Sequence, residues 1–208
     1  MKGDTRNRIL VASLLLFNEH GEPGTPTNLI ADEVDISPGN LHYHFPRKEL
    51  IVGALLDEFQ ADAARVLAPP EATISIDDFW VFLHDLLELA AAYRFLFRDL
   101  EALTAGYPRA DRVLGQFART LARLFEIYLR FLTDAGWFSI GDIDAPVVAR
   151  NLAVIALFSE RFDRLSGVSA TADDNALRIA GSILNVLKPF SASDTGQYVG
   201  DLAAHYDT

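Results

Sequence analysis

The segment Ser37–Pro38–Gly39–Asn40–Leu41–His42–Tyr43–His44–Phe45–Pro46 constrains the folding of this 208-residue chain more than any other stretch. Ser37 before Pro38 is a helix start: a hydroxyl that accepts from free first-turn N–H groups, then a residue whose missing N–H costs nothing there. Phe45–Pro46 is a stop, because proline disfavours helical backbone in the residue before it. About seven residues fit between these signals, too few for a helix to persist in water without packing. At 100° per residue, Leu41, Phe45 and Pro38 fall on one stripe, predicted to face a core. Gly39, Asn40 and Tyr43 fall opposite, with His42 and His44 on the flanks. A short helix held by its neighbours must therefore turn a polar and aromatic face outward.

Helical periodicity runs through the rest of the chain, and no segment shows strand alternation with hairpin turns. Asp4 or Thr5 is predicted to cap a first helix that runs to His20 and stops at Gly21. Thr25 is predicted to cap a second helix, with Pro26 in its first turn and its end near Val34; Asp35–Ile36 makes the turn into the third. A fourth helix spans about residues 47–67 and stops at Pro69–Pro70. Further helices are expected near 76–93, 94–105, 108–135, 144–165 and 172–188, punctuated by Gly106, Gly136, Gly141 and Gly167. The tail from Ser191 is polar and expected to be partly mobile. The fold class is all-α, with eight or nine helices.

Half of the residues are hydrophobic, which supplies a sizeable core and excludes a disordered chain. There is no cysteine, so disulfides and thiolate metal sites are excluded. That composition fits a reducing, cytoplasmic setting. The net charge of −11 is uneven. Residues 1–50 carry five basic side chains (Lys2, Arg6, Arg8, Arg47, Lys48) against seven acidic ones, so the acidity lies mainly beyond them. Lys2, Arg6 and Arg8 precede the apolar run Ile9–Phe17, which has the look of a secretion signal. No small-residue cleavage site follows, and the run is far short of the roughly 20 residues that cross a bilayer. It reads as a buried helix.

The outward face of the third helix suits a DNA major groove: Gly39 permits close backbone approach, Asn40 can pair with a base edge, and tyrosine and histidine reach phosphates. Lys48, in the first turn of the next helix, opposes that helix's dipole, which points to another role such as a phosphate contact. Residues 5–56 closely resemble the DNA-binding module of TetR-type regulators. The resemblance is carried by Thr5–Arg6–Asn7–Arg8–Ile9–Leu10, Phe17–Asn18–Glu19–His20–Gly21, Leu29–Ile30–Ala31, the run Ile36–Phe45, and Lys48–Glu49. It implies DNA contacts at Thr27, Ser37, Gly39, Asn40, His42, Tyr43, His44 and Lys48. It also implies a homodimer built by a C-terminal helical domain that binds a small inducer. The expected organisation is a helix-turn-helix domain over 1–62 (the helix-turn-helix about 25–45), joined by helix 4 to an effector-binding and dimerisation domain over 63–190, then a polar tail over 191–208.

Three positions depart from the usual pattern: Asp35 stands where the turn usually has glycine, His42 replaces a commoner tyrosine, and Val11 and Leu15 are apolar where polar residues are usual. The last pair is expected to add contact with the larger domain rather than to bind a partner. Phe82, Leu86, Phe97, Phe125, Tyr128 and Phe158 are candidates to line a pocket for an apolar or aromatic effector, although helical spacing equally makes each of them core. Arg94, Arg98, Arg119, Arg123 and Arg130 either steady an anionic ligand or pair with Asp99, Glu101 and Glu126. Val148, Leu152, Ile155, Phe158, Phe162, Ile179, Ile183, Val186 and Leu187 read as half of a four-helix dimer interface. His84 and Glu88, four apart, read as a structural pair rather than a metal site, and His42 and His44 point to different faces. No phosphate-cradling glycine loop, nucleophile elbow or zinc helix is present, so neither enzyme nor cofactor is expected. The chain is expected to be a ligand-responsive repressor acting on operator DNA. The shortage of basic charge motivates an alternative, a helical ligand-binding or scaffold protein whose helix-turn-helix no longer binds DNA.

Overall fold

The punctuation residues set most helix limits in the computed structural model, which describes residues 2–70, 74–168, 172–192, 195, 196, 198 and 200. The helices are α1 (Lys2–His20), α2 (Thr27–Glu33), α3 (Pro38–His44), α4 (Lys48–Val66), α5 (Ile76–Ala92), α6 (Arg94–Arg98), α7 (Leu100–Gly106), α8 (Pro108–Asp134), α9 (Ala145–Leu165) and α10 (Ala172–Leu187). A short 3-10 turn, Lys188–Phe190, follows. Among the described residues there is no strand, only an isolated bridge between Phe138 and Ser191. No described helix is long and apolar enough to cross a membrane. Part of the polar tail predicted to be mobile lies outside the described residues.

The chain divides into two compact units, one of residues 1–64 and 92–116, the other of 65–91 and 117–208. The first therefore takes α6, α7 and the opening turns of α8 together with α1–α4. Its core is built on Ile9, Phe17, Ile30, Leu41, Phe45, Ile51, Leu55, Phe59 and Phe95, all essentially inaccessible to water. The second is built on Phe79, Leu83, Leu86, Phe125, Leu129, Leu132, Leu152, Ile183 and Leu187, with α9 packed along α10.

Several local expectations are corrected. Helix α1 already includes Asp4 and Thr5, so neither caps it. Pro26, not Thr25, is the residue before α2. The Thr25 hydroxyl is buried and donates to the carbonyls of Gly21 (2.7 Å) and Leu16 (3.3 Å), tying down the loop instead. Pro38 is exposed, because the first residue of so short a helix lies beyond the reach of the core that takes Leu41 and Phe45. The helix expected over 94–105 is broken at Asp99 (φ −101°, ψ 24°), whose carboxylate is drawn to Arg98 and to the backbone of Glu22. Val11 and Leu15 are 52% and 62% exposed on α1.

The turn between α2 and α3 explains one departure from the family pattern. The Ile36 N–H donates to the Ala31 carbonyl (3.0 Å) and the Asp35 N–H to that of Asp32 (3.1 Å), the paired bonds of a Schellman helix end. The motif needs left-handed backbone at Asp35, and Asp35 has φ of 54°. An L-residue pays strain there, reduced for aspartate by its short polar side chain. Replacing Asp35 by glycine is expected to stabilise the protein by about 0.5–1 kcal/mol, and by valine to destabilise it by about 1–2 kcal/mol. Urea unfolding midpoints check both; a loss of stability in the glycine variant contradicts this account of the turn.

Candidate functional site

The helix-turn-helix is braced by polar contacts on its inner side. Gly21 ends α1 with φ of 87°, backbone that favours glycine, and a Cβ there would crowd Asp99 Oδ2 at 3.0 Å. The carbonyls at the end of α1 carry the negative end of its dipole, and those after Phe17, whose oxygen also accepts the Gly21 N–H (2.9 Å), lack helical partners. Arg98 supplies both donors and charge, giving hydrogen bonds to the carbonyls of Phe17 (2.7 Å) and Asn18 (2.9 Å) while its Nε donates to Asp99 (3.1 Å). The other Asp99 oxygen accepts the Glu22 N–H at 2.9 Å. In return, Asn18 Oδ1 accepts the Phe95 N–H (3.1 Å), satisfying a free donor in the first turn of α6, and Asn18 Nδ2 donates to the Ala92 carbonyl (2.8 Å).

Glu22 extends this frame. Its buried carboxylate pairs with Lys48 (2.8 Å) and accepts from the Tyr107 hydroxyl (2.6 Å). Lys48 also lies over the Phe17 ring, 5.4 Å from its centre. The cation that opposes the α4 dipole is thus held by a carboxylate and an aromatic face inside the first unit. Burial, then the hydrogen bond and negative charge of Glu22, then the charge of Glu49, push the Tyr107 hydroxyl well above the ordinary tyrosine range, so it remains a donor. Arg109, at the start of α8, ties to α4 through the Gly53 carbonyl (3.1 Å), Asp57 and Gln60.

On this base sits the outward face of α3. The Ser37 Oγ accepts the Asn40 N–H at 3.2 Å, capping the helix as its sequence implies. Leu41 and Phe45 point inward, with the Arg6 guanidinium 4.8 Å above the Phe45 ring. Gly39, Asn40 and His42 are exposed, Tyr43 is 66% exposed with its ring edge-on to His44, and Thr27 and His44 are half-buried. His42 Nδ1 lies 3.2 Å from the Pro46 carbonyl at the end of α3. All eight residues expected to meet DNA lie at least partly in solvent, Lys48 being also engaged by Glu22. Gly39 is informative because nothing in the chain demands it: its φ is not left-handed, and a Cβ would meet only Ser37 Oγ, at 3.9 Å.

The second unit holds an aromatic cluster. Phe82 and Tyr128 stack at 4.6 Å and 15°, and Phe79 and Phe125 pack against Phe82 edge-on or tilted, at 6.3 and 5.5 Å. Phe82 and Tyr128 also line an open cleft of about 430 Å³ with Arg65, Val81, Asp78 and Asp85. Of the other pocket candidates, Leu86 is fully buried, Phe158 is half-buried on α9, and Phe97 belongs to the first unit, 6.1 Å from Phe59. Arg130 is paired with Glu126 and Asp142, and Arg94 donates to the Asn18 carbonyl. His84 Nε2 lies 3.1 Å from Glu88 Oε1, and no group of metal-binding side chains occurs among the described residues.

Comparison with known proteins identifies this arrangement. Residues 9–55 match the family model described as bacterial regulatory proteins of the tetR family, and residues 58–198 match that of its bacterial transcriptional repressor domain. The chain belongs to the TetR family. It is a DNA-binding transcriptional regulator and not an enzyme. The TetR-family regulator from Marinobacter aquaeolei VT8 has the same fold, with a TM-score of 0.88 over 98% of both chains at 26% identity. The HTH-type transcriptional regulator UidR of Escherichia coli K12 is 28% identical over 149 residues, 71% of this chain and 76% of its own. The HTH-type transcriptional repressor KstR of Rhodococcus jostii RHA1 is 27% identical over 136 residues, 63% of this chain and 61% of its own.

In this TetR-family chain, the α9–α10 hairpin separates the residues expected at a dimer interface. Leu152, Ile183 and Leu187 are fully buried within one chain, and Val148 and Ile179 nearly so. Ile155, Phe158 and Val186 are half-buried, and Phe162 is 69% exposed. Exposed apolar area on α9 comes from Val147, Val154, Phe162 and Leu165. With Phe158, they fall within about 80° of arc at 100° per residue, a single stripe.

The inner frame predicts two stability effects. Glu22→Gln is expected to cost about 1.5–3 kcal/mol, because Lys48 loses a charge-assisted bond in a half-buried site. Tyr107 holds its proton in the folded state above the unfolded value of 10.0. Its contribution is therefore complete below about pH 10 and fades as pH rises further, since only the unfolded chain then gains by deprotonation. Urea midpoints from pH 9 to 11 should fall more steeply for the native chain than for Tyr107→Phe; parallel slopes would show that the buried hydroxyl makes no such contribution.

Proposed function

We propose that this regulator acts as a homodimer whose two α3 helices enter successive major grooves of an operator, about one DNA turn apart or somewhat more, and that an effector in the second unit releases it. The observation that carries this reading is the outer face of α3. A glycine that the fold does not require stands beside exposed Asn40 and Tyr43, on a helix whose inner face is fixed by Leu41 and Phe45. Glycine is costly in a helix unless something must approach its backbone closely. Asn40 offers a donor and an acceptor for a base edge, Tyr43, His42, His44, Thr27 and Ser37 offer phosphate contacts, and Lys48 joins them where a phosphate competes with Glu22.

The homodimer is supported by the stripe Val147–Val154–Phe158–Phe162–Leu165, which water meets in a single chain and an antiparallel copy would cover. Release follows when an apolar or aromatic effector binds preferentially to a state whose two heads do not match the operator spacing. The setting is the cytoplasm, where such DNA lies. The alternative of a scaffold without DNA affinity has one observation in its favour: no lysine or arginine lies on α3 itself.

Gly39→Ala separates these readings. It is expected to leave stability unchanged or raise it by up to about 1 kcal/mol, and yet to weaken binding to DNA from upstream of the chain's own reading frame by tenfold or more. Asn40→Ala and Tyr43→Ala are expected to lose about 1–3 kcal/mol of the same binding, read by fluorescence anisotropy. Undiminished binding in all three would overturn the assignment of α3, and absence of binding by the native chain would favour the scaffold. For the dimer, Phe162→Asp is expected to convert a dimer to a monomer in sedimentation experiments, and an unchanged mass would sink the α9 interface.

A further inference from the structure

The exposed His42 stands on one edge of the outward face of α3, and its ring is tied down at one nitrogen. Its Nδ1 lies 3.2 Å from the Pro46 carbonyl, and the ring has no other polar partner among the described residues. A carbonyl oxygen only accepts, so this hydrogen bond requires a proton on Nδ1. Neutral imidazole carries a single N–H, donor at one nitrogen and acceptor at the other. With the proton on Nδ1, the Nε2 of the neutral ring has only a lone pair to offer. The Pro46 bond thus fixes what His42 can present to a partner.

The partner is a phosphate by position. At about 100° per residue His42 lies a quarter turn round the helix from Tyr43, whereas Gly39 and Asn40 share the centre of the outward face. In a major groove the centre of a helix face meets base edges, and its edges meet the sugar–phosphate walls. A phosphodiester oxygen accepts hydrogen bonds and donates none, so a neutral ring held by Pro46 has nothing to give it. The charged groups of the surrounding elements are Arg6 and Arg8 of α1, Asp32, Glu33 and Asp35 at the end of α2, and Arg47, Lys48 and Glu49 at the start of α4. Arg8 is held on the Val34 carbonyl, Arg6 over the Phe45 ring and Lys48 by Glu22. None pairs with His42 among the described residues, and His44, on α3 itself, lies edge-on to Tyr43. The charge that the ring meets on binding is therefore that of the DNA.

We propose that His42 meets its operator phosphate as an imidazolium, keeping the Pro46 bond through Nδ1–H and giving Nε2–H to the phosphate, so that DNA binding takes up a proton from solvent at this residue. Both hydrogen bonds are then made, and the second is charge-assisted. Because the bound state holds more protons than the free one, operator affinity rises as pH falls. This rests on the reading of α3 as the recognition helix and adds to it a proton-dependent contact in each half-site.

Two measurements test it, one without DNA. In the free chain at about pH 8.5, above the titration range of ordinary histidine, long-range proton–nitrogen NMR spectra are expected to place the His42 proton predominantly on Nδ1. The His42 signals are assigned by their absence in His42→Gln, and a proton on Nε2 would overturn the geometry. Operator affinity is then followed by fluorescence anisotropy at fixed ionic strength. Between about pH 8.5 and about pH 6.5 the native dimer is expected to gain at least about tenfold, and His42→Gln, whose amide donates without a proton being taken up, at least about fivefold less. Calorimetry in two buffers of different ionisation enthalpy reads the proton uptake itself, which is expected to be larger for the native chain. Thermal melts over the same pH range confirm that both proteins are folded. Equal proton uptake by the two, or a pH response that His42→Gln leaves unchanged, would overturn this proposal alone. No operator binding by the native chain at any pH would overturn the reading of α3 and this proposal with it.

Discussion

The bond of Arg98 to the end of α1 is the contact on which the first unit depends. A helix that stops inside a protein leaves carbonyl groups without partners, and water cannot reach all of them. A guanidinium answers this need better than an ammonium, because its planar fork reaches two carbonyls and a carboxylate at once. With the Asn18 carbonyl satisfied in this way and that of Phe17 shared between Arg98 and the Gly21 N–H, Gly21 can turn sharply and Asp99 can take the Glu22 N–H. Glu22 then has its carboxylate where Lys48 and Tyr107 converge. Each bond places the next donor or acceptor. Half-buried charge is tolerated because no member of the chain lacks a partner.

What this frame provides is a fixed platform for a helix that cannot stand alone. Helix α3 has seven residues and contributes chiefly Leu41, with Phe45 just beyond it, to the core. Its outer residues are thereby free of structural duty, and their identities answer to whatever they meet outside. The same division applies in the α9–α10 hairpin, where Leu152, Ile183 and Leu187 hold one chain together and a separate stripe on α9 remains in solvent. In both places packing requirements and recognition requirements fall on different faces of one helix.

The elements with local signals were legible in the sequence. Ser37–Pro38 and Phe45–Pro46 bracketed α3 to within a residue, and Asp35–Ile36 was legible as the turn that precedes it. Most later helices fell between the glycines and prolines that separate them. Contacts between residues far apart in the chain were not legible. Arg98 reaches carbonyls about 80 positions away, and nothing in Tyr93–Leu100 distinguishes such an arginine from one on a solvated face or at a ligand. The break at Asp99 follows from the same distant contacts, so a continuous helical pattern over 94–105 concealed it. Pocket candidates chosen by aromatic character were sorted by the fold: Phe82, Phe125 and Tyr128 meet, whereas Phe97 packs on Phe59 in the other unit. Thr25 and Pro26 form a plausible cap by sequence, but a buried hydroxyl with two carbonyls in reach is worth more to the loop than to the helix start.

The central claim is that DNA recognition by this acidic protein rests on a few placed groups around α3 and little on overall charge. The salt dependence of operator affinity measures this directly, because each phosphate neutralised by a cation adds about −0.9 to the slope of log affinity against log salt. With Arg6, Arg8, Arg47 and Lys48 as the cations of the helix-turn-helix in each protomer, a dimer is predicted to give a slope of about −3 to −7. A slope steeper than about −9, or no sequence-specific binding at any salt concentration, would contradict the account.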